Sequence, residues 1–289
     1  MESIFRTRAE RIKESDCSTE ASEFRHAENL DESAENTALE AMADNEVAES
    51  SCRNTWKSMI AENGQYMSTE HIERLSKIDE REIVTVMPAE EYVEQFPDAP
   101  FSVIGHCDPE GYIYMKNISA PQIEHTSTHE TIHLCSYREF GHSFDRSEEK
   151  VGLRRTIRDN EDLSLTRNRG INEGVTEMYT VRELDRRGAL EKGDNLHCYE
   201  QSVMWAKRLE YMVGKETVAK AYFSGEDIQL KVRFNDLNGN ELDAWDQFSK
   251  DVDTVEYNNN EEAVKEANRR LSEQFARMYI NKNSGRGVL

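Results

Sequence analysis

The chain has 289 residues, with 36 Lys and Arg against 57 Asp and Glu and a formal net charge of −21. That balance argues against a nucleic-acid partner, because affinity for a phosphate backbone comes mainly from Lys and Arg. The length allows one sizeable domain or two small ones, and a mean hydropathy of −0.82 points to a solvated stretch beside an ordinary core.

Taken in chain order, residues 1–50 carry 14 acidic and 5 basic residues and few aromatics. Such composition predicts a flexible acidic N-terminal extension, with the folded domain spanning 51–289. Nothing near Met1 resembles the apolar core of a secretory signal, and no window offers 18 consecutive apolar residues for a membrane span. The expectation is a soluble chain, cytoplasmic as synthesised, with export by a signal-independent route left open. Five widely spaced cysteines without a C-x-x-C pair read as free thiols.

Trp56, Met59 and Ile60 predict an amphipathic helix, and Ser68-Thr69-Glu70 opens another carrying Ile72, Leu75 and Ile78. Residues 82–86 read as a strand, 89–96 as a short helix before Pro97. The runs 101–104 and 112–115 form a predicted hairpin around Asp108-Pro109 and Gly111. Pro121 suits the first turn of a helix reaching about Tyr137. A second hairpin is expected from 151–158 and 163–167. Helices follow over 171–187, closed by Gly188, over 198–213, closed by Gly214, and over 261–281. Short strands before a group of helices predict an α+β fold with a small, mostly antiparallel sheet and a mainly helical C-terminal part.

The chemistry lies in His129-Glu130-Thr131-Ile132-His133. On a helix, histidines four apart project from one face one turn apart. Both imidazoles then reach one tetrahedral metal, and Glu130 lies beside them as a base rather than a ligand. A charged helix face with two satisfied histidines is the competing explanation of the pentapeptide alone. The H-x-x-G-x-x-H extension is absent, since Ser136 and Glu139 occupy its glycine and third histidine positions. Downstream stands Asn172-Glu173-Gly174-Val175-Thr176-Glu177, whose two glutamates are again four apart and share a helix face.

With these two motifs, in this order, the sequence resembles the gluzincins, zinc metallopeptidases whose third ligand is a glutamate on a second helix. It is also similar to uncharacterised bacterial zincin-like proteins. The resemblance covers about 60 residues and is specific only at the motifs; the 39 residues between His133 and Glu173 exceed the spacer of thermolysin itself. It implies a zincin-like fold and one Zn²⁺ per chain held by His129, His133 and Glu173. Glu177 would orient a zinc histidine from behind, and Gly174 would let the two helices approach. The implied activity is hydrolysis of peptide or protein substrates by a metal-activated water with Glu130 as general base. The alternative is a zinc-containing or inactive zincin-like binding module whose acidic tail docks a partner.

Candidates for stabilising the oxyanion are Tyr179, Tyr199 and His197, with Tyr137 a further option; core or surface packing is the competing reading of each and the one the sequence favours. His125 and His142 flank the zinc helix; either could line the cleft, though a lone flanking histidine reads first as a hydrogen-bonded or surface residue. Cys135 reads as buried packing, and Asp236–Asp243 as a hairpin turn rather than a calcium loop. The strand at Tyr112–Ile118 is the expected cleft edge, to which an extended peptide would pair. Oligomeric state has no sequence signal.

Overall fold

The computed structural model describes residues 20–77, 83–97, 103–108, 111–142, 146–159, 164–190 and 199–284, with side chains from residue 42 except at 142, 146 and 159. Ile78, Glu82, Phe101, Ser102, His197 and Cys198 therefore lie outside the described residues. The chain divides into two units, residues 1–43 and 44–289.

Helix α1 runs Glu20–Asn63, far longer than the element predicted around Trp56. Ala48, Cys52, Trp56 and Met59 are buried along one stripe, the spacing that a helix lying on a core requires. Asn45 also accepts the Val86 N–H at 2.9 Å. Residues 44–50 thus belong to the folded unit, which corrects the boundary at 50. Their composition looks like a tail because the solvent side of a half-buried helix is as polar as a tail, with Glu46 exposed.

Helix α2 (Thr69–Ser76) begins where Ser68 Oγ accepts the His71 N–H. Strands β1 (Val84–Met87), β2 (Gly105–Cys107) and β3 (Ile113–Lys116) form one sheet in the order β1-β3-β2, with α3 (Ala89–Gln95) between the first two. β2 and β3 pair antiparallel, His106 opposite Tyr114, where the hairpin is predicted, but its first strand lies at Gly105–Cys107 rather than 101–104; β1 runs parallel to β3. A second, separate sheet is a four-stranded antiparallel meander of β4 (Arg138–His142), β5 (Arg146–Val151), β6 (Arg154–Asp159) and β7 (Ser164–Arg167). The fold is α+β, as expected, but with two sheets, one mixed and one antiparallel, where the sequence predicts one small, mostly antiparallel sheet.

Helix α4 (Ala120–Cys135) precedes the second sheet and α5 (Arg169–Arg187) follows it. Then come α6 (Glu200–Val213), α7 (Lys215–Ser224), α8 (Ile228–Leu237), α9 (Ala244–Tyr257) and α10 (Glu261–Asn283). Asp236 and Leu237 end α8 and residues 238–243 join it to α9, so the segment is an interhelical turn and not a hairpin. Gly239 and Asn240 take positive φ there, and Asn235 Oδ1 accepts the Trp245 N–H. Trp205, Phe234, Phe248 and Phe275 are buried together among these helices. Each such ring contributes roughly 1.5–3 kcal/mol on burial. α1 closes over the back of α4 and α5: Ser51 Oγ meets Thr128 Oγ1 at 2.9 Å, and Ser58 donates to the buried Glu183 at 2.8 Å.

Candidate metal centre

Two helices supply the site. Ser119 stands in extended conformation before α4, and Pro121 fills its first turn, where a missing N–H costs no hydrogen bond. The helix then stacks His125, His129 and His133 at successive turns of one face. α5 starts after Asn168 and stops at Gly188, whose φ of 70° is the left-handed stop that glycine favours.

Asn172, the first residue of the downstream motif, fastens α5 to the second sheet. Its fully buried side chain accepts the Leu153 N–H at 2.9 Å and the Arg154 N–H at 3.3 Å, in the turn between β5 and β6. Gly174 serves a different neighbour from the one expected. A Cβ there would lie 2.3 Å from the Ser202 carbonyl oxygen, so it admits α6 rather than α4.

His129, His133 and Glu173 converge, all three buried, with one ligating atom of each within 4.8 Å of the others. It is the one such group of three among the described residues. His133 Nε2 lies 3.1 Å from His129 Nε2 and 3.0 Å from Glu173 Oε2, and His129 Nε2 lies 3.4 Å from the same oxygen. Ligands bound tetrahedrally at 2.0–2.1 Å sit about 3.3 Å apart, so the spacing fits one small cation.

The surrounding hydrogen bonds decide which nitrogens face inward. Glu177 Oε2 lies 2.9 Å from His129 Nδ1, and Glu177 Oε1 lies 2.8 Å from His125 Nε2. Thr176 Oγ1 donates to the Asn172 carbonyl at 2.9 Å and accepts from Tyr222 Oη at 2.7 Å, leaving a lone pair for His133 Nδ1–H at 3.3 Å. With both Nδ1 atoms donating, neutral imidazoles turn bare Nε2 lone pairs on each other and on Glu173. Three such acceptors in contact repel unless a cation stands among them. A proton answers part of that need. Burial works against a charge on His129, but Glu173 and Glu177 outweigh it and hold the imidazole pKa well above its ordinary value. A divalent metal satisfies all three acceptors at once, and nitrogen with carboxylate donors suits a transition metal.

Glu177 is held down to about 2: burial would raise it, but hydrogen bonds from His125 and His129 prevail. Its carboxylate thus stays ionised behind His129. His125, which the sequence reads as a hydrogen-bonded or surface residue, is buried, hydrogen-bonded to Glu177 and lines the cleft. The register of three histidines four apart was the signal that could have found it.

Glu130 does not join the trio. It lies half-buried in a cleft of about 390 Å³ lined also by His125, His129, Gly105, Arg169, Tyr199 and Tyr257. Tyr199 stacks on His129 with centroids 5.7 Å apart, and Arg169 lies over Tyr257 at 4.4 Å. Burial and the nearby Glu173 raise the pKa of both tyrosines. Arg169 and Tyr257 had no local signal in the sequence, since the fold brings Tyr257 in from α9.

Tyr179 is not at the cleft. It is buried against Tyr222 and Phe223, its hydroxyl without a hydrogen-bond partner among the described residues. Tyr137 is also elsewhere, hydrogen-bonded to Glu139 at 2.9 Å. His197 lies outside the described residues, and His142 stands on β4 opposite Ser147. Cys135 is fully buried, which pushes its thiol pKa up.

Comparison with protein-family models, with curated proteins and with solved structures finds no match to this chain.

Proposed function

We propose that the chain is a zinc-dependent peptidase similar to the gluzincins, with His129, His133 and Glu173 holding one Zn²⁺. The observation that carries this reading is the convergence of those three side chains beside Glu130 in one cleft. Two imidazoles and a carboxylate are a donor set that hydrolytic zinc sites use. When bound, zinc supplies Lewis-acid polarisation of a carbonyl and acidifies water.

The chain's own groups supply the rest. Glu130 makes no hydrogen bond within the described residues, so its carboxylate is available to take a proton from the attacking water. It then returns that proton to the departing amine. Tyr199 keeps its phenolic proton, because burial and Glu173 oppose ionisation, and so serves as a hydrogen-bond donor to the developing oxyanion. Glu177 fixes the ring of His129, and Thr176 that of His133.

An extended substrate pairs with β2 in this reading, not with the segment 112–118. β3 lies between β1 and β2 and has no free edge, whereas β2 is an outer strand. Val103, Ile104 and Gly105 line the cleft beside the histidines. Gly105 is needed there, because a Cβ would meet Thr126 Cγ2 of α4 at 2.9 Å. A peptide laid along this edge presents its backbone to Glu130. No described helix is long and apolar enough to cross a membrane.

The test is Glu130→Gln. The variant should bind zinc as the wild type does and lose peptide hydrolysis by a factor of about 100 or more. Wild-type cleavage rates in that variant refute the assignment.

A further inference from the structure

We propose that a second cavity, between α2, the start of β4 and the end of α7, binds a small molecule bearing an oxyanion, a phosphate ester or a carboxylate. The cavity holds about 570 Å³ and shares no lining residue with the metal cleft. Arg74 and Arg138 both line it, together with His71.

Among the described residues Arg138 is held by neutral acceptors only: the Asp108 carbonyl at 2.8 Å and Cys107 Sγ at 3.3 Å. Those contacts aim the guanidinium without neutralising it. Among the described residues Arg74 hydrogen-bonds His71 Nδ1 alone, at 3.4 Å. Neither guanidinium has a carboxylate within 4.0 Å among the described residues. Such a pair is unusual in a chain with 57 acidic and 36 basic side chains. The two charges also feel each other, since burial and then Arg138 lower the pKa of Arg74.

A phosphate or carboxylate relieves this repulsion, and guanidinium groups match the geometry of either. Tyr66, Met67, Tyr137 and Phe223 supply apolar wall, and the volume lies in the range of small-molecule sites. The occupant is therefore larger than a bare ion. Glu70 and Glu226 also line the cavity, both exposed, with Glu226 paired to Lys220 at 2.9 Å.

The experiment is calorimetric titration of the full chain with phenyl phosphate and, separately, benzoate at fixed ionic strength, before and after chelation of metal. Saturable one-to-one binding of either probe that survives chelation is expected, the tighter probe identifying the anion. Arg74→Ala, an exposed site, should weaken it about tenfold or more, the scale of one charged hydrogen bond. The His71 imidazole resonances should shift on binding. No saturable binding, equal binding by wild type, Arg74→Ala and Arg138→Gln, or binding that disappears with the metal overturns the proposal. Each result is independent of whether the metal cleft cleaves peptides.

Discussion

Gly174→Ala tests whether α5, which carries Glu173 of the candidate metal site, is set by its contact with α6. A methyl group at this position would lie 2.3 Å from the Ser202 oxygen and 2.5 Å from its carbonyl carbon, where ordinary contact begins at 3.4 Å. The helices must therefore separate by about 1 Å, and because both obstructing atoms are backbone no rotamer change relieves them. Overpacking of this kind costs roughly 1–3 kcal/mol and more where nothing can yield. The helix propensity gained over glycine offsets about 1 kcal/mol. A net loss of ~2 kcal/mol or more is expected in urea denaturation. Ser202 also donates its N–H and hydroxyl to Glu256, at 3.0 and 2.7 Å, and α6 follows directly on Tyr199. Movement there disturbs the cleft as well, so metal affinity should fall along with stability. Should the variant instead gain about 1 kcal/mol, as at an exposed helical glycine, the close approach would be refuted.

Glu177→Ala should weaken metal binding 10–100-fold, the usual cost of removing the group behind a ligating histidine; competition with a chromophoric chelator measures it, and an unchanged Kd would show that the contact with His129 is idle. His71 gives a pH dependence. Burial, Arg74 and Arg138 lower its pKa from 6.5 to about 4, so the unfolded chain takes up this proton before the folded one. Its contribution to stability is complete above pH 6.5 and fades as pH falls toward 4, by up to ~3 kcal/mol. Denaturation of wild type and His71→Gln across that range, in buffer free of phosphate and carboxylate, should show the shallower acid slope in the variant; parallel curves would contradict the assignment.

What could be read from sequence was what repeats locally. The H-E-x-x-H pentapeptide places two imidazoles on one face of any helix, and Asn172 to Glu177 places two carboxylates likewise, so both halves of the site were visible. Gly188 and Ser68 marked helix ends for equally local reasons. The strands β4 and β5 were not legible because their stability is not written as an apolar alternation. Glu149 meets Arg154 diagonally at 3.6 Å and Glu148 pairs with Arg155, so part of what joins β5 to β6 is charge between strands rather than buried apolar surface. The boundary at residue 50 failed for a related reason: Ala48 is small, Val47 is only partly buried, and the residues around the two are polar.

The distance between the two motifs has its own structural reason. The 39 residues between His133 and Glu173 contain the whole meander β4–β7, and that meander is what sets α5 against α4. Asn172 Oδ1 is bound to the β5–β6 turn, and the Asn168 side chain donates to the Leu153 carbonyl at 3.0 Å. Two asparagines at the start of α5 thus hold one tight turn, and Gly152 in that turn takes a φ of 55° with no room for a side chain beside Asn172. Glu173 is the next residue along, so the turn fixes where its carboxylate enters the cluster. Thr176 and Glu177, one helical turn further on, then set the rings of His133 and His129. The downstream motif is therefore one device: its asparagine anchors the helix, its first glutamate reaches the metal position, and its last two polar residues orient the histidines across from it.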